Sequence, residues 1–205
     1  MGDTFGRSVG PSAGAWLPAA IAEGTAAGER RNATCLRLEG FGPSVDVRRA
    51  HLLAQIGQTA ETRSLKGAES RLLWQQIGNV QPFHGQSEQA VWKLSVRPSD
   101  APQILERLST VAGLQVFLDW GGGLIWLSLP CGNDGGTALV RSALPRTGHA
   151  TLIGAPDAIR ATQAVFQPLD AVTAKLEARL KAQFDPCGIL NPGRRESGAP
   201  SPNSI

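Results

Sequence analysis

The segment LQVFLDWGGGLIWLSL, residues 114–129, carries the clearest indication of the fold. Two apolar runs flank three consecutive glycines, a pattern typical of a hairpin between antiparallel strands. AVWKLSV (residues 90–96) and HATLI (149–153) are further predicted strands, and apolar residues at helical spacing mark SDAPQILERLSTVAG (99–113) and GTALVRSAL (136–144). The order strand, helix, hairpin, helix and strand, with no long run of βα repeats, predicts an α+β fold.

The N-terminal part of the chain extends this pattern. ATCLRLEG (residues 33–40) alternates like a half-buried strand, while VDVRRAHLLAQIG (45–57) and ESRLLWQQIGN (69–79) place apolar residues on one helical stripe. We therefore predict an antiparallel sheet with helices on one face, arranged as two ferredoxin-like halves. Residues 1–32 are rich in Gly, Ala and Ser with little periodicity, and we expect them to be a poorly ordered leader or the remnant of a missing domain.

The composition bounds the function. The chain has 205 residues, 41% of them hydrophobic and 18% charged, which suits one ordinary core. The net charge of +3 comes from 20 basic and 17 acidic residues spread along the chain, which argues against nucleic-acid binding. The three cysteines are far apart and lack metal-ligand spacing, so no metal site is predicted. No signal peptide or membrane-spanning run is recognisable, and a cytoplasmic location is expected.

The histidines offer little support for a catalytic triad, because none lies beside a serine or cysteine in a nucleophile-elbow context. His51 falls within a predicted helix and is interpreted as structural or solvated. His84, between two elements, and His149, at the start of a predicted strand, could face a pocket. Lys93 is the charged residue of the predicted strand AVWKLSV.

The glycine and tryptophan groups each allow two interpretations. WGGGL follows a strand but opens no helix, as the dinucleotide fingerprint would require, and GRSVGPSAG has neither the strand nor the acidic residue. Trp92, Trp120 and Trp126 fall on neighbouring predicted strands. Cross-strand packing explains them, and the walls of a flavin-facing cleft are the alternative.

The segment FDPCGILNPGR, residues 184–194, ends the last predicted helix, which Asp170 can cap. Its two prolines fix φ and its two glycines permit positive φ, which predicts two successive turns around Ile189 and Leu190. Taken alone, these residues indicate a helix stop followed by a docked tail.

Several segments in order resemble a known family. LKAQFDPCGILNPGR resembles the C-terminal ending of FAD-linked oxidases of the vanillyl-alcohol-oxidase type, and especially the FAD-binding E subunits of bacterial glycolate oxidases. VWKLSV, LDWGGGLIWL, GHATLI and FQPLD match further upstream, so that the resemblance covers residues 33 to about 195.

The resemblance implies a cap or substrate domain at residues 33–183, a tail at 184–195 that returns to the flavin region, and a disordered tail at 196–205. It further implies that Asn191, Pro192, Gly193 and Arg194 lie near the cofactor, FAD. The N-terminal half that carries the family's glycine-rich pyrophosphate loop has no counterpart in this sequence. We therefore expect a truncated, split or mis-started subunit that is inactive and does not bind FAD by itself.

The function implied by the resemblance is a part in oxidising a small 2-hydroxy acid to a 2-oxo acid, with hydride transfer to FAD. Lys93 and His149 are the catalytic candidates. The implied partners are a larger flavin subunit and an iron–sulfur subunit, through which the protein would attach to the periphery of the inner membrane. The alternative is a non-catalytic interaction module that keeps the cap fold and binds partner subunits.

Overall fold

The computed structural model describes residues 10–57 and 60–192. The described strands form one antiparallel sheet in the order β2-β1-β4-β5-β3-β6. The strands are β1 (Ala13–Leu17), β2 (Ala33–Arg37), β3 (Gln89–Ser95), β4 (Gln115–Asp119), β5 (Leu124–Pro130) and β6 (His149–Gly154). The helices are α1 (Ala19–Glu23), α2 (Gly42–Ile56), α3 (Gly67–Gly78), α4 (Ala101–Leu108), α5 (Thr137–Ala143), α6 (Asp157–Thr162) and α7 (Ala171–Phe184). The predicted α+β class is confirmed.

The hairpin predicted from LQVFLDWGGGLIWLSL joins β4 to β5. The register runs from Gln115 opposite Ser128 to Asp119 opposite Leu124, leaving a loop at residues 120–123. Three successive loop residues have positive φ: Trp120 at 51°, and the next two glycines at 66° and 99°. Left-handed backbone matches the twist of a hairpin, and glycine adopts it without steric cost.

The segment from β3 to β6 is a ferredoxin-like unit. Its elements follow the order β3-α4-β4-β5-α5-β6, and its strands lie side by side as β4-β5-β3-β6. The N-terminal part adds β1 and β2 to the free edge of β4. Of the two ferredoxin-like halves that were predicted, the described residues complete this one, and the other contributes two strands.

One face of the sheet packs against α4 and α5. Trp92 of β3 is fully buried there among Ile104 of α4 and Val140 of α5. Its indole Nε1 donates a 2.8 Å hydrogen bond to the backbone oxygen of Gly135, so that the polar atom of the ring is satisfied inside the core. This burial confirms the packing interpretation of Trp92 and removes it from any cleft.

A second group of helices packs on the opposite face, at the β1–β4 end of the sheet. Leu17 of β1 and Phe117 of β4 are buried there with Ile77 of α3 and Phe83 of a short 3-10 turn. Side chains alternate between the two faces of a strand, which places this cluster across the sheet from Trp92. Beyond this cluster, the same face stays open over β3 and β6.

The expectation of a poorly ordered leader is wrong for residues 10–32. β1 pairs with β2 along its whole length, and Ala15 and Leu17 are fully buried. AGAWL forms a strand because its small residues let it lie close under the helices. Its low hydrophobicity gives no strand pattern that could be recognised in the sequence. Residues 1–9 and the predicted disordered tail at 196–205 lie outside the described residues.

The last helix, α7, begins at Asp170, whose side chain accepts hydrogen bonds from the backbone N–H groups of Val172 and Thr173. The predicted cap is confirmed. The apolar side chains of α7 are exposed, however, from 54% at Leu176 to 81% at Phe184. The described residues therefore leave α7 undocked, contrary to the prediction of a docked tail. None of the described helices is long and apolar enough to cross a membrane.

Candidate functional site

The turn after α7 is held together by one carboxylate. Asp185 accepts 2.9 Å hydrogen bonds from the backbone N–H groups of Ile189 and Leu190 and from Nζ of Lys181. Lys181 also donates to the backbone oxygen of Leu190 at 3.0 Å. The Lys181 hydrogen bond, aided by those from the backbone, holds the pKa of Asp185 below its usual range. The turn is thus fixed by polar contacts within the segment.

The same turn presents apolar side chains outward. Ile189 is 74% exposed and Leu190 is 56% exposed. Asn191 is exposed and has φ of +47°, a conformation that asparagine tolerates better than most residues. Pro192 is exposed as well, while the other two predicted cofactor residues, Gly193 and Arg194, lie outside the described residues. The role of these four residues toward a cofactor stays a prediction.

A cation lies between two indoles on the open face of the sheet. Nζ of Lys93 is 5.8 Å from the ring centroid of Trp120 and 5.9 Å from that of Trp126. Trp126 is directly opposite Lys93 on β5, and Phe117 is opposite Trp126 on β4. The rings of Phe117 and Trp126 are stacked at 6.4 Å. An aromatic row therefore runs from the buried cluster and ends at the partly buried ammonium group.

The structure places the second catalytic candidate, His149, on the same face as Lys93. His149 on β6 pairs with Ser95, two residues along β3 from Lys93. Residues two apart on a strand share a face, and diagonal neighbours on adjacent strands lie within reach of long side chains. His84, by contrast, is an exposed loop residue whose Nε2 is 2.9 Å from the backbone oxygen of Asn79. His51 is exposed on α2, in agreement with the solvated interpretation.

Trp120 also lines a cleft that the sequence did not predict. The cleft has a volume of about 390 Å³ and is lined by Ser12, Arg37, Trp74, Ile77, Asp119 and Trp120, among others. The guanidinium of Arg37 is 5.9 Å from the ring centroid of Trp74 and pairs with the Glu39 carboxylate at 2.8 Å. Arg37 shares one face of β2 with Ala33 and Cys35, which are partly buried, and no apolar alternation in the sequence marked that face.

Asp119 is the acid of this cleft. Its Oδ1 accepts a 2.7 Å hydrogen bond from the backbone N–H of Trp120. Burial raises the pKa of Asp119, and the hydrogen bond from Trp120 offsets part of that effect. A cation, an acid and two indoles thus meet at one end of the sheet.

Metal ligands are not clustered in this part of the chain. Among the described residues, no group of three or more His, Cys, Asp and Glu side chains could hold a metal ion. The surfaces described above offer ammonium, guanidinium, carboxylate and indole groups instead.

The fold and these surfaces define an α+β domain with an open, cation-bearing sheet face and an undocked apolar helix. Comparison with known protein sequences gives a more specific classification of this domain. The chain is 34% identical to the glycolate oxidase subunit GlcE of Escherichia coli K12 over 166 residues, 80% of this chain. This similarity confirms the predicted resemblance to the E subunit of glycolate oxidase. The chain spans about two fifths of the length of that relative, the aligned region being 39% of it. No protein-family profile matches the chain.

Proposed function

We propose that the chain is part of a flavoprotein oxidoreductase that converts a 2-hydroxy acid to a 2-oxo acid, with the open sheet face covering the reacting groups. The similarity to GlcE over 80% of the chain carries this proposal. The aromatic row that ends at Lys93 supports the choice of face, because it offers a cation next to two indole rings at a half-buried residue. Such groups are suited to orienting a substrate carboxylate.

FAD would supply the redox chemistry in this proposal, as the acceptor of the hydride from C2 of the substrate. The residues of the open face fit one part of that role. The indoles of Trp120 and Trp126 offer flat apolar contacts, and Lys93 offers a cation for the substrate carboxylate. In this proposal His149, on the same face, would hold or accept the proton of the C2 hydroxyl.

The described residues fit the phosphate end of FAD poorly. A dinucleotide site needs a glycine-rich turn between a strand and a helix. The WGGG turn instead joins two antiparallel strands. We therefore expect purified residues 1–205 to be colourless, and stoichiometric flavin absorbance after gel filtration would contradict this.

The surface of α7 and its turn is proposed to dock onto the flavin-binding part of the enzyme. Val172, Leu176, Leu180 and Phe184 are more than half exposed along α7, and Ile189 and Leu190 continue the apolar surface into the turn. Isolated apolar residues on a surface are ordinary, but a contiguous stripe is typical of an interface. Docking of this surface would bring the amide of Asn191 to the flavin region.

A chimera tests the proposal, with this chain replacing the aligned part of GlcE and produced with the remaining glycolate oxidase subunits. The readouts are flavin absorbance and glycolate-dependent reduction of a dye. Lys93→Met should raise the KM for glycolate by about tenfold or more, because hydrogen bonds to charged groups contribute about 1.5–3 kcal/mol. Lys66→Met, at an exposed residue before α3, is the matched control and should leave the KM unchanged. Equal effects of the two substitutions would contradict the role of Lys93.

Asn191→Ala in the same chimera tests the turn. If the amide contacts the flavin region, the substitution should weaken FAD retention by about 1–3 kcal/mol or alter the flavin spectrum. Unchanged affinity, spectrum and turnover would leave the turn as a helix stop.

A second candidate function is a non-catalytic module that binds partner subunits, a larger flavin subunit or an iron–sulfur subunit, through the α7 surface. The exposed apolar stripe of α7 favours it independently of any cofactor. Under this function, a chimera without flavin would still purify with its partner subunits, and Leu176→Glu would abolish that association. Loss of flavin and of association together in Leu176→Glu would favour the flavoprotein instead.

A further inference from the structure

The cleft beside Trp120 has the composition of a second ligand site, which shares Trp120 with the Lys93 face. It lies between the β1–β2 edge, α3 and the β4–β5 hairpin loop, and its volume is about 390 Å³. One water takes about 30 Å³ of liquid volume, so a cleft of this size accepts a molecule with a sizeable body rather than a small ion alone.

Arg37 provides the anion contact. Its side chain is 32% exposed, and one Nη pairs with the Glu39 carboxylate, which is itself 51% exposed. A guanidinium has five N–H donors in a planar fork, and this geometry matches a carboxylate in a bidentate manner. The guanidinium also lies 5.9 Å from the centroid of the Trp74 ring, a cation–π contact that needs none of its N–H donors.

The walls of the cleft select the rest of the ligand. The indoles of Trp74 and Trp120 line it together with the side chain of Ile77. Aromatic rings pack best in offset-stacked or edge-to-face arrangements. A planar apolar group is therefore the body that this cleft would bury most completely.

The backbone of Trp120 points to a function for its indole. At φ of +51° the residue is left-handed, which bulky side chains rarely adopt, while the next two loop positions are glycines. Trp120 is 67% exposed, so burial in the core does not explain the presence of a tryptophan here. Residues held in such conformations cluster at ligand-binding and active sites.

We propose that this cleft binds aromatic carboxylates, with the carboxylate on Arg37 and the aromatic ring against the indoles of Trp74 and Trp120. The inference goes beyond the proposed function, since it requires neither FAD nor Lys93. Within a 2-hydroxy acid oxidoreductase it would assign an acid with an aromatic side chain as a ligand of this domain.

The test is a titration of the purified 205-residue chain with phenyllactate, followed by calorimetry and by tryptophan fluorescence. We expect saturable binding in the millimolar range or tighter. Lactate, which lacks the ring, and 2-phenylethanol, which lacks the carboxylate, should each bind about tenfold more weakly or worse. Arg37→Gln and Trp120→Gly should each weaken phenyllactate binding by a similar factor.

Two controls keep the result specific. Arg160→Gln removes an exposed arginine of α6, a helix that does not line the cleft, and it should bind phenyllactate as the unmodified chain does. Circular dichroism of each variant verifies folding. Binding that persists in Arg37→Gln, or that Lys93→Met abolishes, would overturn the proposal, as would the absence of saturable binding to the folded chain. These outcomes do not depend on glycolate oxidation by the chimera, so either proposal can fail alone.

Discussion

Trp120 allows a sharp test of the strained hairpin loop, through the pair of substitutions Trp120→Gly and Trp120→Ala. Both remove the same indole, but only alanine keeps a Cβ at a residue with φ of +51°. A left-handed conformation costs an ordinary residue about 1–2 kcal/mol. Glycine avoids this cost but loses about 0.5–1 kcal/mol through the greater freedom of the unfolded chain. Trp120→Gly should therefore be more stable than Trp120→Ala by about 0.5–1 kcal/mol.

The stabilisation that the indole itself provides sets the scale for both variants. About a third of the surface of Trp120 is buried, since the residue is 67% exposed. A tryptophan side chain presents about 200 Å², so the buried third contributes about 1.7 kcal/mol at about 25 cal/mol per Å². The cation–π interaction with Lys93 adds about 0.5–1 kcal/mol. Trp92→Ala, at a fully buried residue with a hydrogen-bonded indole, should cost about 3–5 kcal/mol.

Urea denaturation followed by far-UV circular dichroism measures all three variants on one scale. The order of unfolding free energies should be Trp120→Gly above Trp120→Ala, and both above Trp92→Ala. If Trp120→Ala is as stable as Trp120→Gly, the loop is unstrained and its backbone says nothing about function. A destabilisation as large as that in Trp92→Ala would make Trp120 a core residue.

Three further predictions concern single side chains. Cys187, exposed in the turn, should react first with a thiol reagent at pH 8. Cys35 should react only after unfolding, because burial raises the pKa of its thiol to about 11. Equal reaction rates of the two cysteines would contradict this. Asp185→Asn should speed chymotrypsin cleavage after residue 190, and an unchanged cleavage rate would refute the role of Asp185. Because the pKa of the Asp185 carboxylate is lowered, the turn of the unmodified chain should persist until the pH falls below the ordinary carboxyl range. Asp119→Asn keeps the acceptor Oδ1 but removes a carboxylate whose pKa is raised by burial. An ionised group with a raised pKa in the folded state lowers the free energy of unfolding as the pH rises above the ordinary carboxyl range, so we expect the variant to be more stable than the unmodified chain at pH 7, to lose this gain in acid, and to bind phenyllactate more tightly. Urea denaturation at both pH values checks the stability, and a destabilisation at both would contradict the prediction.

The ferredoxin-like unit could be predicted because its strands alternate strongly and its helices carry several large apolar residues. β3 and β5 are recognisable from AVWKLSV and GGGLIWLSL alone. β1 was missed because alanine and glycine fill most of AGAWL, so its burial depends on close packing rather than on hydrophobicity. The short helix α6 was missed because none of its residues is buried, which leaves no apolar periodicity to detect.

The sequence could indicate residues of the open sheet face only where they lie on recognisable strands that pair with each other. Lys93 was named as a cation for the substrate carboxylate because it lies on the predicted strand AVWKLSV, and the pairing of β3 with β5 places Trp126 opposite it. The cleft could not be found in the same way. Arg37 and Trp120 are far apart in sequence and meet only because β1 lies between β2 and β4, a pairing that no local pattern specifies. A strained φ likewise has no sequence signature at a tryptophan.

In the segment FDPCGILNPGR, local hydrogen bonds explain the turn, but they do not explain why its apolar side chains are exposed. Its turns need nothing beyond the segment and the last turn of α7, because Asp185 satisfies two backbone N–H groups and Lys181 closes the contact. A simple helix stop would need no more than this. The same turn holds Ile189 and Leu190 outward, in line with the exposed apolar side of α7, at a cost in exposed apolar surface. Polar contacts that hold apolar side chains toward solvent are favourable only when another surface covers those side chains. The proposed docking of α7 and its turn would provide such a surface.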